Sequence, residues 1–342
     1  MEKLAKRLNC GLLLSFILLF VAGSVQAAEL ADKEIQAALD KAYAKYKGLK
    51  EGKNADYIPV LAKVDSNLFG IVLVTVDGRV FSAGDVKSEV SIQSVAKVFT
   101  MALVMEESGP AAIRDNQGVD ATGQLFNSIV AIEQNQGKEM NPLVNAGAIT
   151  ATSMVKGKNG KAQWASISKI YNAFAGRKLK VMADVYKSES ETNQRNQAIA
   201  MLMHAYGVIK KDPLVANDVY TRQGSVGVNA RDLATMVATL ANGGVNPVTR
   251  EKVVSAANVP EILAVMATAG LYDDAGKWLF STGLPAKSGV GGGILAASPG
   301  KFGIAAISPP LDAAGNSVRA QRAIADISNA LGGNPYEVKP LK

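Results

Sequence analysis

The chain has 342 residues, a formal net charge of +7, and 48% hydrophobic against 20% charged residues. That is enough for one large domain, or two intimate ones, around a buried core. A single His and a single Cys leave little material for His/Cys zinc sites, Ser-His-Asp triads or Cys-His pairs, and point to Lys, Tyr or a carboxylate as the base of an enzyme of this composition.

Lys3, Lys6 and Arg7 precede an apolar run from Gly11 to Gly23, followed by the small-residue site Val25-Gln26-Ala27. This pattern predicts a signal peptide over residues 1–27, cleaved after Ala27 or Ala28, and a product exported to the periplasm or outside the cell. An uncleaved anchor is the alternative, but the run falls short of the roughly 20 residues that span a bilayer. The mature chain then has no thiol, no membrane attachment and a net charge of +5, after loss of three basic residues and Glu2. That charge is diffuse, with no basic run interleaved with aromatics, and argues against nucleic-acid binding.

Ile35, Leu39, Ala42, Tyr43 and Tyr46 recur at helical spacing and predict a helix over 31–48. Two β-rich runs, 70–76 and 79–83, flank Asp77-Gly78 and predict a hairpin. Residues 94–107 read as an apolar helix, and the stretch from about 110 to 280 as mostly helical, with clear patterns over 197–206 and 230–240. Strand character returns at 286–297, read as one strand, then a Ser298-Pro-Gly-Lys turn and a strand over 302–307. A helix over 317–331 closes the chain. The order predicts an α+β fold, an antiparallel sheet flanked by helices. Its sheet part comprises about 30–93 and 281–342, its helical lobe about 110–280, and a cleft lies between them.

Ser-x-x-Lys on a helix sets hydroxyl and amine one turn apart on one face, where a lysine kept neutral by burial can take the serine proton. Four copies occur, Ser94–Lys97, Ser153–Lys156, Ser166–Lys169 and Ser298–Lys301, when about two are expected by chance. Context separates them. Ser298–Lys301 is a turn, Ser153–Lys156 runs into a Gly-rich loop, and Ser166–Lys169 reads as an exposed helix edge. Ser94–Lys97 opens the apolar helix. Lys287-Ser288-Gly289 on a late strand matches the Lys-[Ser/Thr]-Gly element that accompanies Ser-x-x-Lys in penicillin-recognising enzymes, although no Ser-Asp-Asn lies between them.

With these boxes stand Ala55-Asp-Tyr-Ile-Pro59, Gln93-Ser-Val-Ala-Lys97, Phe126-Asn-Ser-Ile129, residues 141–149 (NPLVNAGAI), Ser188-Glu189, Arg195-Asn196, Tyr220, Gly270-Leu-Tyr272 and residues 287–294 (KSGVGGGI). In this order they resemble the serine-dependent glutaminases of β-lactamase-like fold, over about residues 31–335. The resemblance implies hydrolysis of L-glutamine to L-glutamate and ammonia, with no metal or organic cofactor, by a homodimer or homotetramer. It makes Ser94 the nucleophile, Lys97 its base and Tyr220 the proton donor near the leaving group. Tyr57, Ser94, Asn145, Glu189, Asn196, Tyr220 and Tyr272 line the amino-acid pocket, with Val290 contributing through its backbone.

By type, Glu189 suits the substrate ammonium, with Glu191 a rival, and the amides and tyrosines suit its carboxylate. The glycines at 289 and 291–293 are expected to let the strand approach substrate. His204 reads as a packing residue, Asp85 and Asp232 as surface or capping groups. Two other functions fit the same boxes: a penicillin-interacting serine hydrolase, and an exported amino-acid sensor without turnover.

Overall fold

The computed structural model describes residues 30–338 and Pro340. The predicted signal peptide lies outside the described residues.

The chain opens with α1 (Asp32–Tyr46), then the hairpin β1 (Gly70–Thr75) and β2 (Val80–Gly84), and the short β3 (Val90–Ser91). A 3-10 turn, Gln93–Val95, leads into α2 (Ala96–Ser108). The helical stretch comprises α3 (Pro110–Gln117), α4 (Ile129–Asn135), α5 (Asn145–Met154) and α6 (Gly160–Ala175). After β4 (Lys180–Val181) it continues with α7 (Ala183–Thr192), α8 (Gln194–Ala205) and α9 (Pro213–Gly224). Then come β5 (Val226–Val228), α10 (Ala230–Ala241), α11 (Val259–Ala269) and α12 (Ala275–Thr282). The chain ends with β6 (Ala286–Ser288), β7 (Gly293–Ser298), β8 (Phe302–Ile307) and α13 (Val318–Ala330).

Five strands form an antiparallel sheet in the order β2-β1-β8-β7-β6, so the N-terminal hairpin joins the C-terminal strands. The α+β architecture is as expected. Strand β1 is apolar at nearly every position because both its faces are covered. Ile71 and Leu73 pack with Ile35, Leu39, Ile324 and Ile327 of α1 and α13. Val72 and Val74 pack on the other side, with α2 and α10. Helix α10, though within the predicted helical stretch, lies against the sheet.

One strand prediction is corrected. Residues 286–297 are not one strand but the antiparallel pair β6 and β7, with Ser288 opposite Ile294. Between them Gly289–Gly292 reverses the chain, and Gly292 has φ +92°. Four glycines in five residues supply the reversal that a hydropathy pattern cannot reveal.

Helices α2, α5, α6 and α9 are tied by a buried polar network. Thr100 Oγ1 donates to Gln223 Oε1 (2.6 Å), Tyr171 OH to the Ala96 carbonyl (2.9 Å), and Gln223 Nε2 to Thr152 Oγ1 (2.9 Å). Three of these helices carry Lys97, Asn145 and Tyr220, so the network sets their spacing. Tyr171→Phe, which leaves the Ala96 carbonyl without this donor, is expected to lower stability by about 1–3 kcal/mol in urea unfolding. An unchanged midpoint would show that the hydroxyl contributes nothing.

Candidate active site

Ser94 sits in the 3-10 turn immediately before α2, and Lys97 in that helix's first turn. The predicted helix over 94–107 therefore begins two residues late. The turn is unusual because Gln93 holds φ +50°, a left-handed conformation that non-glycine residues rarely adopt.

The β6–β7 reversal presses on this turn. A Cβ at Gly289 would lie 2.9 Å from the Ile92 carbonyl oxygen, and one at Gly291 would lie 2.3 Å from that of Ser91. Gly289 and Gly291 thus admit the backbone leading into the serine turn. Val290, between them, is brought to the cavity that holds Ser94.

Lys97 is buried, 3% exposed, inside the apolar core around α2. Its Nζ donates to Asn145 Oδ1 (2.6 Å) and, more weakly, to the Leu143 carbonyl (3.4 Å). Among the described residues no carboxylate pairs with it directly. Burial lowers its pKa to about 7, with Glu189 opposing the shift through space. The sequence left two causes open, desolvation and the neighbouring cation Lys287. Desolvation dominates, and Lys287 is itself held well below the ordinary lysine value, by burial first and then by repulsion from Lys97.

Asn145, the first residue of α5, is the hub. Its Oδ1 accepts from both Lys97 Nζ and Tyr220 OH (3.1 Å), and its Nδ2 donates to Asn196 Oδ1 (2.9 Å). Tyr220 on α9 places its ring 5.8 Å from Lys97 Nζ, and burial pushes its hydroxyl well above pKa 10. Tyr272 is 6% exposed, lies tilted against Phe126 with ring centroids 4.8 Å apart, and donates its hydroxyl to the Ser288 carbonyl (3.3 Å).

Glu189, near the C-terminal end of α7, is raised to about pKa 7 by burial. Gln93 Nε2 (3.2 Å) and Ser225 Oγ (3.4 Å) donate to its Oε2. The rival Glu191 is exposed and lies outside the cavity lining. The remaining predicted residues converge on the same place. Tyr57 stands at the mouth, 56% exposed, and together with Ser94, Asn145, Glu189, Asn196, Tyr220 and Val290 it lines an inner chamber of about 120 Å³. A wider vestibule of about 450 Å³ shares Tyr57, Phe126 and Val290 with it. A second hollow, about 260 Å³ between α2, α3 and α11, brings no lysine or tyrosine beside a hydroxyl.

The other Ser-x-x-Lys copies assemble no site. Ser153 donates to the Thr150 carbonyl and Lys156 to that of Glu107. Ser298 and Lys301 donate to the carbonyls of Gly333 and Gly332. Lys169 is exposed on α6. His204 is an exposed side chain whose Nδ1 lies 2.8 Å from the Ile209 carbonyl oxygen, and not a packing residue as read from sequence. Asp232 caps α10 in a capping box with Asn229 and pairs with Arg177, while Asp85 accepts from the Phe69 N–H.

Sequence reasoning missed Gln93 and Ser225 as supports of Glu189, and Arg195 in the chamber wall. Gln93 adjoins the nucleophile motif, but its left-handed turn leaves no mark in composition.

Residues 52–336 match the model of the glutaminase family. The chain belongs to that family. A glutaminase of Colwellia psychrerythraea is 54% identical over 302 residues, which cover 88% of this chain and 97% of that one. One from Brucella suis is 52% identical over 305 residues, 89% and 96% of the two chains. Among solved structures, a probable glutaminase, ybaS, superposes with a TM-score of 0.89 at 48% identity, over 90% of this chain and all of that one. A probable glutaminase from Bacillus subtilis, in complex with 6-diazo-5-oxo-L-norleucine, gives 0.78 at 25% identity, over 92% and 100%. The glutaminase assignment makes this chain an amidohydrolase of the serine-dependent, β-lactamase-like family.

Proposed function

We propose that this glutaminase cleaves the side-chain amide of L-glutamine through a glutamyl ester on Ser94, with Lys97 as the general base. The observation that carries the reading is a lysine sealed in an apolar core beside the serine turn, with no carboxylate among the described residues in hydrogen-bond contact with it. A neutral amine has two N–H groups, matched by the Asn145 and Leu143 oxygens, and keeps its lone pair for the serine proton.

In this mechanism Glu189 receives the substrate ammonium, while Tyr57, Tyr272 and the Asn196 amide serve its polar head. Ser94 Oγ attacks the amide carbon and Lys97 accepts its proton. The oxyanion is met by the backbone N–H groups of Ser94 and Val290, each donor of this kind contributing about 3 kcal/mol to the barrier reduction. The amide nitrogen leaves as ammonia, protonated by Lys97 with Tyr220 as relay, and water hydrolyses the ester by the reverse path. The chamber of about 120 Å³ suits a free amino acid better than a bicyclic antibiotic, since sites for drug-sized ligands start near ~300 Å³.

Ammonia release from glutamine and hydrolysis of a chromogenic cephalosporin, measured side by side, test the reading. We expect turnover of the first only. Cephalosporin turnover would favour the penicillin-interacting reading, and stoichiometric glutamine binding without ammonia would favour the sensor.

Two further parts of the proposal concern the protein in its cell. The basic, apolar and small-residue pattern at the N-terminus supports export, with the exported chain starting at Ala28 or Glu29, as Edman sequencing would read. Family membership supports a homodimer or homotetramer; a monomer mass by light scattering at micromolar concentration would overturn that.

A further inference from the structure

Lys287 lies on β6 with no exposed surface. Its Nζ donates to the carbonyl oxygens of Gly270 and Ser288, both at 2.8 Å, and stands 4.0 Å from the centroid of the Tyr272 ring. Gly270 terminates α11, so one of these acceptors belongs to the carbonyl end of a helix, where an N–H donor is favoured. The Ser288 N–H also reaches the Gly270 carbonyl (3.3 Å). The approach is so close that a Cβ on Gly270 would lie 1.7 Å from the Ala286 carbonyl oxygen.

Two residues on, Tyr272 holds φ +56°, a left-handed backbone that costs energy for any residue but glycine. Its hydroxyl donates to the same Ser288 carbonyl (3.3 Å), and the next residue, Gly289, abuts the serine turn so closely that a Cβ there would lie 3.3 Å from the Ser94 nitrogen. The strained tyrosine is therefore fastened on two sides. Phe126 lies tilted against its ring, with centroids 4.8 Å apart, and Lys287 grips the backbone before it, the carbonyl that its hydroxyl uses, and its ring.

We propose that Lys287 is a positioning residue, which holds Tyr272 in its left-handed conformation so that the tyrosine hydroxyl stays on the Ser288 carbonyl, beside the Ser94 turn. This rests on the reading of Ser94 as the nucleophile. Lys287 touches neither the reacting amide nor the oxyanion; it acts through Tyr272, and the lysine of the Lys-Ser-Gly element thereby serves the serine from the strand side of the cleft.

A double-mutant cycle on the full-length enzyme tests the proposal, with Lys287→Met, Tyr272→Phe and the double variant compared by kcat and KM for glutamine. Lys287→Met keeps an unbranched apolar stem and removes the N–H donors. Tyr272→Phe keeps the ring and removes the hydroxyl. Each single change is expected to lower kcat/KM by about tenfold or more, and the double variant to fall within about threefold of the worse single one, because both remove one unit.

If the two losses multiply, Lys287 does not act through the Tyr272 hydroxyl and the proposal fails. A general loss of packing would also lower the unfolding midpoint and would lower activity equally in the Tyr272→Phe background. Should Lys287→Met not fold, Lys287→Gln, which retains amide donors on a shorter stem, carries the same cycle: losses that do not multiply support the proposal, and losses that multiply overturn it. Ser94→Ala is run alongside. Turnover by that variant would overturn the nucleophile itself, an outcome distinct from any result of the cycle.

Discussion

Lys97→Ala is expected to lower kcat for glutamine hydrolysis by about 10²- to 10⁴-fold, the contribution of a positioned general base. At an ordinary lysine pKa fewer than about one amine in a thousand is neutral at pH 7. Burial brings Lys97 to about 7, so roughly half is then in the basic form. The sign of the pH dependence follows: protonation below about pH 7 removes the base, and kcat falls in acid. Lys97→Arg is expected to give no rescue, because guanidinium stays protonated. Ser94→Ala should lose a similar factor, and the double variant should be little worse than either single one, since the two act as a unit. Lys156→Ala, Lys169→Ala and Lys301→Ala should stay within a few-fold of the parent. Loss of activity in Lys169→Ala with Lys97→Ala intact would assign the base to the other tetrapeptide. Steady-state ammonia release over pH 5–9 checks every arm.

The second large effect is expected at Glu189. Removing one partner of a buried charge pair costs ~2–5 kcal/mol, so Glu189→Gln should lower kcat/KM by about 30- to 4 × 10³-fold, mostly through KM. In the free enzyme burial holds this carboxyl near pKa 7; acid protonates it and removes the partner of the substrate ammonium. Once substrate is bound, the ammonium stabilises the carboxylate and lowers that pKa. The acid limb of kcat/KM should therefore contain both Glu189 and Lys97, whereas the limb of kcat should report Lys97 alone. In Glu189→Gln the kcat/KM profile should lose one of its two acid ionisations. A profile identical to the parent's would remove Glu189 from substrate recognition. Glu191→Gln, at an exposed side chain on the same helix, should change neither parameter appreciably.

Much of the fold was legible because its signals are local. The Asp77-Gly78 hairpin, α1 and α13 follow from turn chemistry and 3.6-residue periodicity, and each appears within a residue or two of its predicted bounds. The strand over 286–297 failed for a physical reason. An apolar, glycine-rich run has the same composition whether it continues or doubles back, and only the positive φ of Gly292 and the β6–β7 register distinguish the two.

The site divides in the same way. Sequence by itself determined that the chain holds a single Cys and a single His, which points to Lys, Tyr or a carboxylate as the base, and that Lys97 sits in an apolar helix while the other three lysines do not. Its ordered blocks also carried the family resemblance that the family match bears out. Tertiary structure decided what those residues meet. Asn145, Glu189, Asn196, Tyr220 and Val290 come from α5, the consecutive helices α7 and α8, α9 and the β6–β7 reversal, and only folding brings them around one chamber of about 120 Å³. The carboxyl of Glu189 rather than Glu191 faces that chamber, Gln93 turns left-handed to reach it, and Lys287 closes on Tyr272 from across the sheet edge. Burial and contact are properties of packing between segments far apart in the chain. Periodicity reports which face of an element is apolar, but not which polar group another element will set against it.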